Sequence, residues 1–202
     1  MSAISTSRYR SVLPILLVMA ALSVSSAGWA AADNGVNLEQ FRTAVTVPAV
    51  TLIDQQGKAQ PLQNVFKDKV VVVDFVFTSC RSVCPIITAV MKRIQQLLAE
   101  HLGDSVVLVS ISLQPEQDTP EKLAQFSGQF GNSPHWLWLT GTAAEVAQAL
   151  SAFGINPSAA AETHPPLVFV GRGNDWFKWV GLPDAQQVAQ AALALSNQQV
   201  TP

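Results

Sequence analysis

The chain has 202 residues, 49% of them hydrophobic and 13% charged, which is enough for one well-cored domain and excludes a disordered chain. A charged share well below the roughly 25% usual in soluble proteins points to an apolar segment and to surfaces padded with Ala and Gln. Twelve Lys and Arg against 14 Asp and Glu exclude a polybasic nucleic-acid binder, and two cysteines exclude a disulfide scaffold or a zinc-finger array.

Residues 1–32 read as an export segment. Arg8 and Arg10 precede the apolar stretch Val12 to Val24, and a run of small residues from Ser25 to Ala32 follows, the order of a signal peptide. Cleavage after Ala30 or Ala32 would leave Gly28 or Ala30 at the third position back. The alternative is a retained membrane anchor, because no charge occurs from Ser11 to Ala32 and about 20 such residues span a bilayer. Losing Arg8 and Arg10 takes the net charge from −2 to −4. The body is therefore expected to be a mildly acidic domain in the periplasm or on the outer face of the inner membrane.

Residues 33–46 form a polar lead-in without a clear period, and residues 47–197 form the domain. Val47 to Ile53 reads as a short strand turning at Gln56 and Gly57. Val70 to Phe77, a β-branched run, reads as a strand covered on both faces. Pro85 to His101 has apolar residues at helical spacing, Pro in its first turn and Gly103 past its end. Val106 to Ile111 is a second buried strand, which completes a right-handed βαβ unit. Thr119 caps a helix running to about Phe130 with Pro120 at its first position. Trp136 to Leu139 is a strand, Thr142 to Phe153 a helix, and residues 155–166 a Pro- and Ala-rich loop. Leu167 to Val170 and Trp176 to Val180 form a hairpin, and a helix runs from Pro183 to about Leu195. This order predicts an α/β fold, a thioredoxin-like mixed sheet with flanking helices. The four tryptophans in the short strands are expected in the core.

Cys80 and Cys84 lie where the first buried strand gives way to a helix, a place where reactive groups collect. The helix N-terminus and Arg81, between the two cysteines, should favour thiolates. If both lie on the helix, their Cβ atoms are about 5 to 6 Å apart, wider than the roughly 3.5 to 4.5 Å of a relaxed disulfide. That spacing suits a metal chelate better, and a structural disulfide closing so short a loop gains little. Two thiolates need a third ligand. Of the three histidines, His101 reads as a helix-end residue and His135 as a strand entrance. His164 precedes a strand expected to run antiparallel to Val70–Phe77, so it can face Cys80 and Cys84.

From about Val47 to Leu193 the chain resembles the Sco/SenC family of copper chaperones, which help assemble the binuclear copper centre of cytochrome c oxidase. The resemblance is carried by T-S-C-R-S-V-C-P at 78–85, S-L-Q-P-E-Q-D-T-P at 112–120, W-L-T-G at 138–141, and His164 before Pro-Pro-Leu-Val-Phe-Val. It implies that Cys80, Cys84 and His164 are copper ligands, for Cu(I) or Cu(II). Ligand softness agrees, since thiolates select Cu(I) and imidazole accepts either state. The chain departs from the family pattern at Arg81 and Ser82 (usually Pro and Asp), at Gln114 (usually Asp) and at Thr163 (usually Asp). These changes bear on partner recognition and on the surroundings of His164, not on the ligands.

Asp74 supports a different reading. It shares strand parity with Val76, Thr78 and Cys80, and V-V-D-F-V-F-T-S-C resembles the V-D-F segment of thioredoxins, whose buried Asp serves proton transfer to the cysteine pair. In that reading the protein is a thiol-disulfide reductase of exported proteins, with Asp74 as proton acceptor for Cys80 and Cys84. The simpler expectation pairs Asp74 with Lys69 or Lys178. A peroxiredoxin would need Pro and Thr at positions 73 and 77, where Val73 and Phe77 stand. The reading favoured by the whole is a monomer that binds one copper ion. It would pass copper, or reducing equivalents, to a respiratory copper-site protein such as a cytochrome c oxidase subunit, or exchange copper with another donor or acceptor, and would not be a turnover enzyme unless the redox reading holds.

Overall fold

The computed structural model describes residues 40–198; residues 1–32, expected to be an export segment or a membrane anchor, lie outside them. No helix among the described residues is long and apolar enough to cross a membrane. The strands are β1 (Gln40–Thr43), β2 (Thr51–Ile53), β3 (Ala59–Pro61), β4 (Val70–Val76), β5 (Val106–Ser112), β6 (Trp136–Leu139), β7 (Leu167–Arg172) and β8 (Asp175–Val180). The helices are α1 (Leu62–Phe66), α2 (Val83–Leu97), α3 (Pro120–Gly128), α4 (Ala143–Ala152) and α5 (Ala185–Asn197), with a 3-10 turn at Ala161–Thr163.

Six strands form one sheet in the order β1-β8-β7-β4-β5-β6. β4, β5 and β6 are parallel, whereas β7 is antiparallel to β4 and to β8. Every residue of β4 and β5 is buried, as a β-branched run without polar alternation requires. Alternate residues feed two cores. Val71, Val73, Phe75, Val107, Val109 and Ile111 pack with α1 and α4, while Val70, Val72, Val76, Val106 and Leu108 pack with α2, α3 and α5. Trp136, Trp138, Trp176 and Trp179 are all buried, as expected of core tryptophans. The outer edge of β6 is covered, which blocks pairing with another chain: Ile53 and Thr140 exchange backbone hydrogen bonds at 2.7 and 2.9 Å, and the Gln55 amide bonds both Trp136 O and Trp138 N.

Several elements differ from their expected bounds. The lead-in of residues 33–46 contains β1, which extends the sheet beyond a domain start at Val47; its pairing with β8 supplies the order that four mixed residues do not signal. The strand expected from Val47 forms only at Thr51, as half of a separate hairpin with β3. Helix α2 starts at Val83, before Pro85.

Gly171 of β7 faces Trp176 across the hairpin, and a Cβ there would lie 2.0 Å from the indole Cδ2. Gly171→Ala should therefore destabilise the fold by about 1–3 kcal/mol, the usual cost of overpacking, seen as a lower urea midpoint.

Candidate metal and thiol site

The site lies at the carboxyl end of β4. Phe77, Cys80, Cys84 and Ala161 form a small buried cluster, with Val83 and Leu113 against it, and both cysteines are free thiols. Cys80 is not on the helix. It sits in the loop before α2, with its N–H donating to Phe77 O at 3.1 Å. The Cys84 N–H, one of the helix's orphan donors, points to Cys80 Sγ at 3.3 Å. Ser82 at the N-cap position makes no side-chain cap, so the Cys80 sulfur serves as the cap. The helical Cβ spacing used to judge the pair thus does not apply, because only Cys84 belongs to α2.

The two thiols are unlike. Burial acts to raise Cys80, but hydrogen bonding with the Cys84 side chain, the Ser82 and Cys84 backbone and the Ser82 hydroxyl outweighs it, leaving Cys80 below the ordinary cysteine value. Cys84 is pushed up to about 12 by burial first, then by its hydrogen bond to Cys80 and by the nearby charges of Cys80 and Asp74. The expectation that both thiols favour the thiolate is therefore corrected: a single negative charge suits the helix end, and a second beside it is opposed. Arg81 is exposed and is not among the groups that shift either thiol.

Asp74 faces the α2 side of the sheet and is fully buried. It pairs with neither Lys69, whose ammonium donates to Gly103 O, nor Lys178, which lies over the Phe169 ring. Its partner is Ser110, its register neighbour on β5, whose hydroxyl donates to Asp74 Oδ1 while accepting from Trp136 Nε1 at 2.9 Å. Among the described residues Oδ2 has no partner. Burial raises Asp74 to about 7, against a smaller lowering by the Ser110 hydrogen bond.

His164 caps the 3-10 turn just before β7, with its N–H donating to Ala161 O at 3.3 Å. The antiparallel pairing of β7 with β4 carries this loop to the end of β4, and Ala161 packs on the thiols. The imidazole itself is half-buried. Among the described residues no three His, Cys, Asp or Glu side chains gather as a metal-holding group. The structure thus joins Cys80 with Cys84 and brings the turn before His164 to them, but not the three side chains into one set. His101 follows α2, with its carbonyl accepting from Ser105 and Val106, and His135 is exposed at the entrance to β6.

Asp118 carries a role not assigned from the sequence. Fully buried, it accepts from Thr78 N at 3.0 Å, Thr78 Oγ1 at 2.6 Å and Ser112 Oγ at 2.6 Å, and so fixes the first residues of the cysteine loop to the end of β5. Asp118→Ala would strand these donors. It is expected to cost about 3 kcal/mol in urea unfolding, with Asp118→Asn less damaging because it keeps an acceptor.

A family model described as SCO1/SenC matches residues 39–168. The SCO1 protein homolog of Bacillus subtilis is 37% identical over 97 residues, covering 47% of this chain and 49% of that protein. The chain spans about half the length of the curated relatives first matched. Among solved structures, BsSco, described as a member of the Sco family of cytochrome c oxidase assembly proteins with a disulfide switch, superposes with a TM-score of 0.67 at 25% identity, over 79% of this chain and 98% of that one. Copper-bound yeast Sco1 superposes with a TM-score of 0.62 at 18% identity, over 79% and 97%, a likeness of fold.

Proposed function

This chain belongs to the SCO1/SenC family, and on that footing we propose that it is a copper chaperone, binding one copper ion through Cys80, Cys84 and His164 and serving the copper centre of a respiratory oxidase. The observation that carries this reading is the buried pair of free thiols at the end of β4, in direct contact through the Cys84 N–H and lying under the turn that leads to His164. Two thiolates are soft donors and an imidazole is a borderline one, a set suited to copper and ill-suited to hard cations. The copper-bound state of yeast Sco1 and the assembly role of BsSco support the same assignment. Completing the ligand set requires the 155–166 loop to bring the imidazole to the sulfurs. In this reading residues 1–32 export or anchor the protein, and the site faces the periplasm.

The test is an anaerobic copper titration of the reduced protein. Stoichiometric binding with strong thiolate-to-Cu(II) charge-transfer absorption, weakened in His164→Ala, is expected; binding unchanged in His164→Ala would remove that residue from the ligand set.

Thiol–disulfide exchange is a second reading, favoured by Asp74. Its carboxyl, raised to about 7 and acting on Cys84 by its charge, is poised to take the proton of the less acidic thiol. Weak copper binding together with slower exchange in Asp74→Asn would put this reading first.

A further inference from the structure

The two segments proposed to supply copper ligands come from distant parts of the chain, and one side chain bridges them. Gln114, in the β5–α3 connection, accepts at Oε1 from Ser79 Oγ at 3.1 Å and donates from Nε2 to Glu162 Oε1 at 3.2 Å. Ser79 immediately precedes Cys80, and Glu162 lies in the 3-10 turn that His164 caps. Gln114 is itself anchored, since its N–H donates to Ser112 Oγ at 3.0 Å and its carbonyl accepts from Asp118 N at 2.8 Å. The bridge needs an acceptor toward Ser79 and a donor toward the Glu162 carboxylate. An amide supplies both, and a carboxylate at position 114 would meet Glu162 with like charge.

We propose that Gln114 is a positioning residue: its amide straps the cysteine loop to the 161–164 turn and so sets where His164 stands relative to Cys80 and Cys84. The assignment rests on the copper-site reading for its purpose, but the strap is a property of the metal-free chain. Gln114→Glu reverses the group facing Glu162 and breaks the strap. In the double variant Gln114→Glu with Glu162→Gln, the amide and carboxylate exchange places: the new amide donates to the new carboxylate, which still accepts from Ser79.

The experiment is hydrogen exchange on the metal-free full chain, read at the amides of Thr163 and His164, which bond Ala160 O and Ala161 O. Gln114→Glu and Gln114→Leu should speed exchange there by about fivefold, the scale of losing a modest hydrogen bond, without changing exchange in β4 and β5. The double variant should return to within about twofold of wild type. Equal protection in all variants, or a double variant as loose as Gln114→Glu, would overturn the strap. Copper titration of the same proteins separates the two ideas. If wild type binds no copper while the exchange pattern holds, the chaperone reading falls and the strap stands. If copper binds equally well to wild type and Gln114→Glu, the strap has no part in placing His164, and that part of the proposal is overturned.

Discussion

Cys84→Ser should lower Cu(I) affinity by more than about a hundredfold, because loss of an outer partner of a ligand already costs about 10–100-fold and this change removes a proposed ligand. The pH dependence identifies the group. Cys84, pushed up to about 12, holds its proton at neutral pH in the metal-free protein, and a sulfur must give up its proton to bind a metal. Copper uptake between pH 6 and 8 therefore releases the Cys84 proton, and affinity rises about tenfold per pH unit on that account. In Cys84→Ser this component disappears. Competition titrations against a Cu(I) chelator at pH 6, 7 and 8 read both quantities. A slope equal in wild type and Cys84→Ser would show that copper does not take the second sulfur.

What the sequence made legible follows where local chemistry dominates. The β-branched run at 70–76 and the alternating WLWL segment announce strands because burial on the sheet is the only outlet for such residues. The Thr119 cap announces a helix start, and its side chain accepts from the Lys122 backbone amide. By contrast, β1 depends on β8: Phe41 and Arg42 have no strand pattern of their own, and Arg42 finds Phe177 and Asp175 only after the edge has formed. The parallel and antiparallel neighbours of β4 were inferable from element order, which carries the His164 loop to the right end of the sheet. The Asp118 and Gln114 contacts were not, because they depend on how the β5–α3 connection lies against residues 35 to 48 positions distant. Asp74 was legible as an anomaly, a carboxylate in an apolar strand, but its partner was misread. Parity aimed it at the α2 side, where Ser110 and Trp136 wait and no lysine reaches.

Asp74→Asn should raise stability at pH 8 and leave it nearly unchanged at pH 4. With a folded-state value of about 7 against 3.8 for an ordinary aspartate, the native protein keeps the Asp74 proton between these limits while the unfolded chain has lost it. The native state then binds more protons, so this group's contribution to stability falls as pH rises from about 4 to about 7 and is level above that. A gap of this size corresponds to on the order of 4 kcal/mol. The cause is a carboxylate held in a dry strand with one hydroxyl donor and one oxygen without a partner, a cost that asparagine avoids by staying neutral. The measurement is urea unfolding of both proteins across pH 4 to 8, with the difference plotted so that titrations common to both cancel. A pH-independent difference would mean that Asp74 ionises in the fold as freely as in the open chain. The same proton bears on the site, because an ionised Asp74 opposes a thiolate at Cys84 whereas a neutral one does not. The strand therefore carries a destabilising carboxyl at a position from which its charge acts on the less acidic of the two sulfurs.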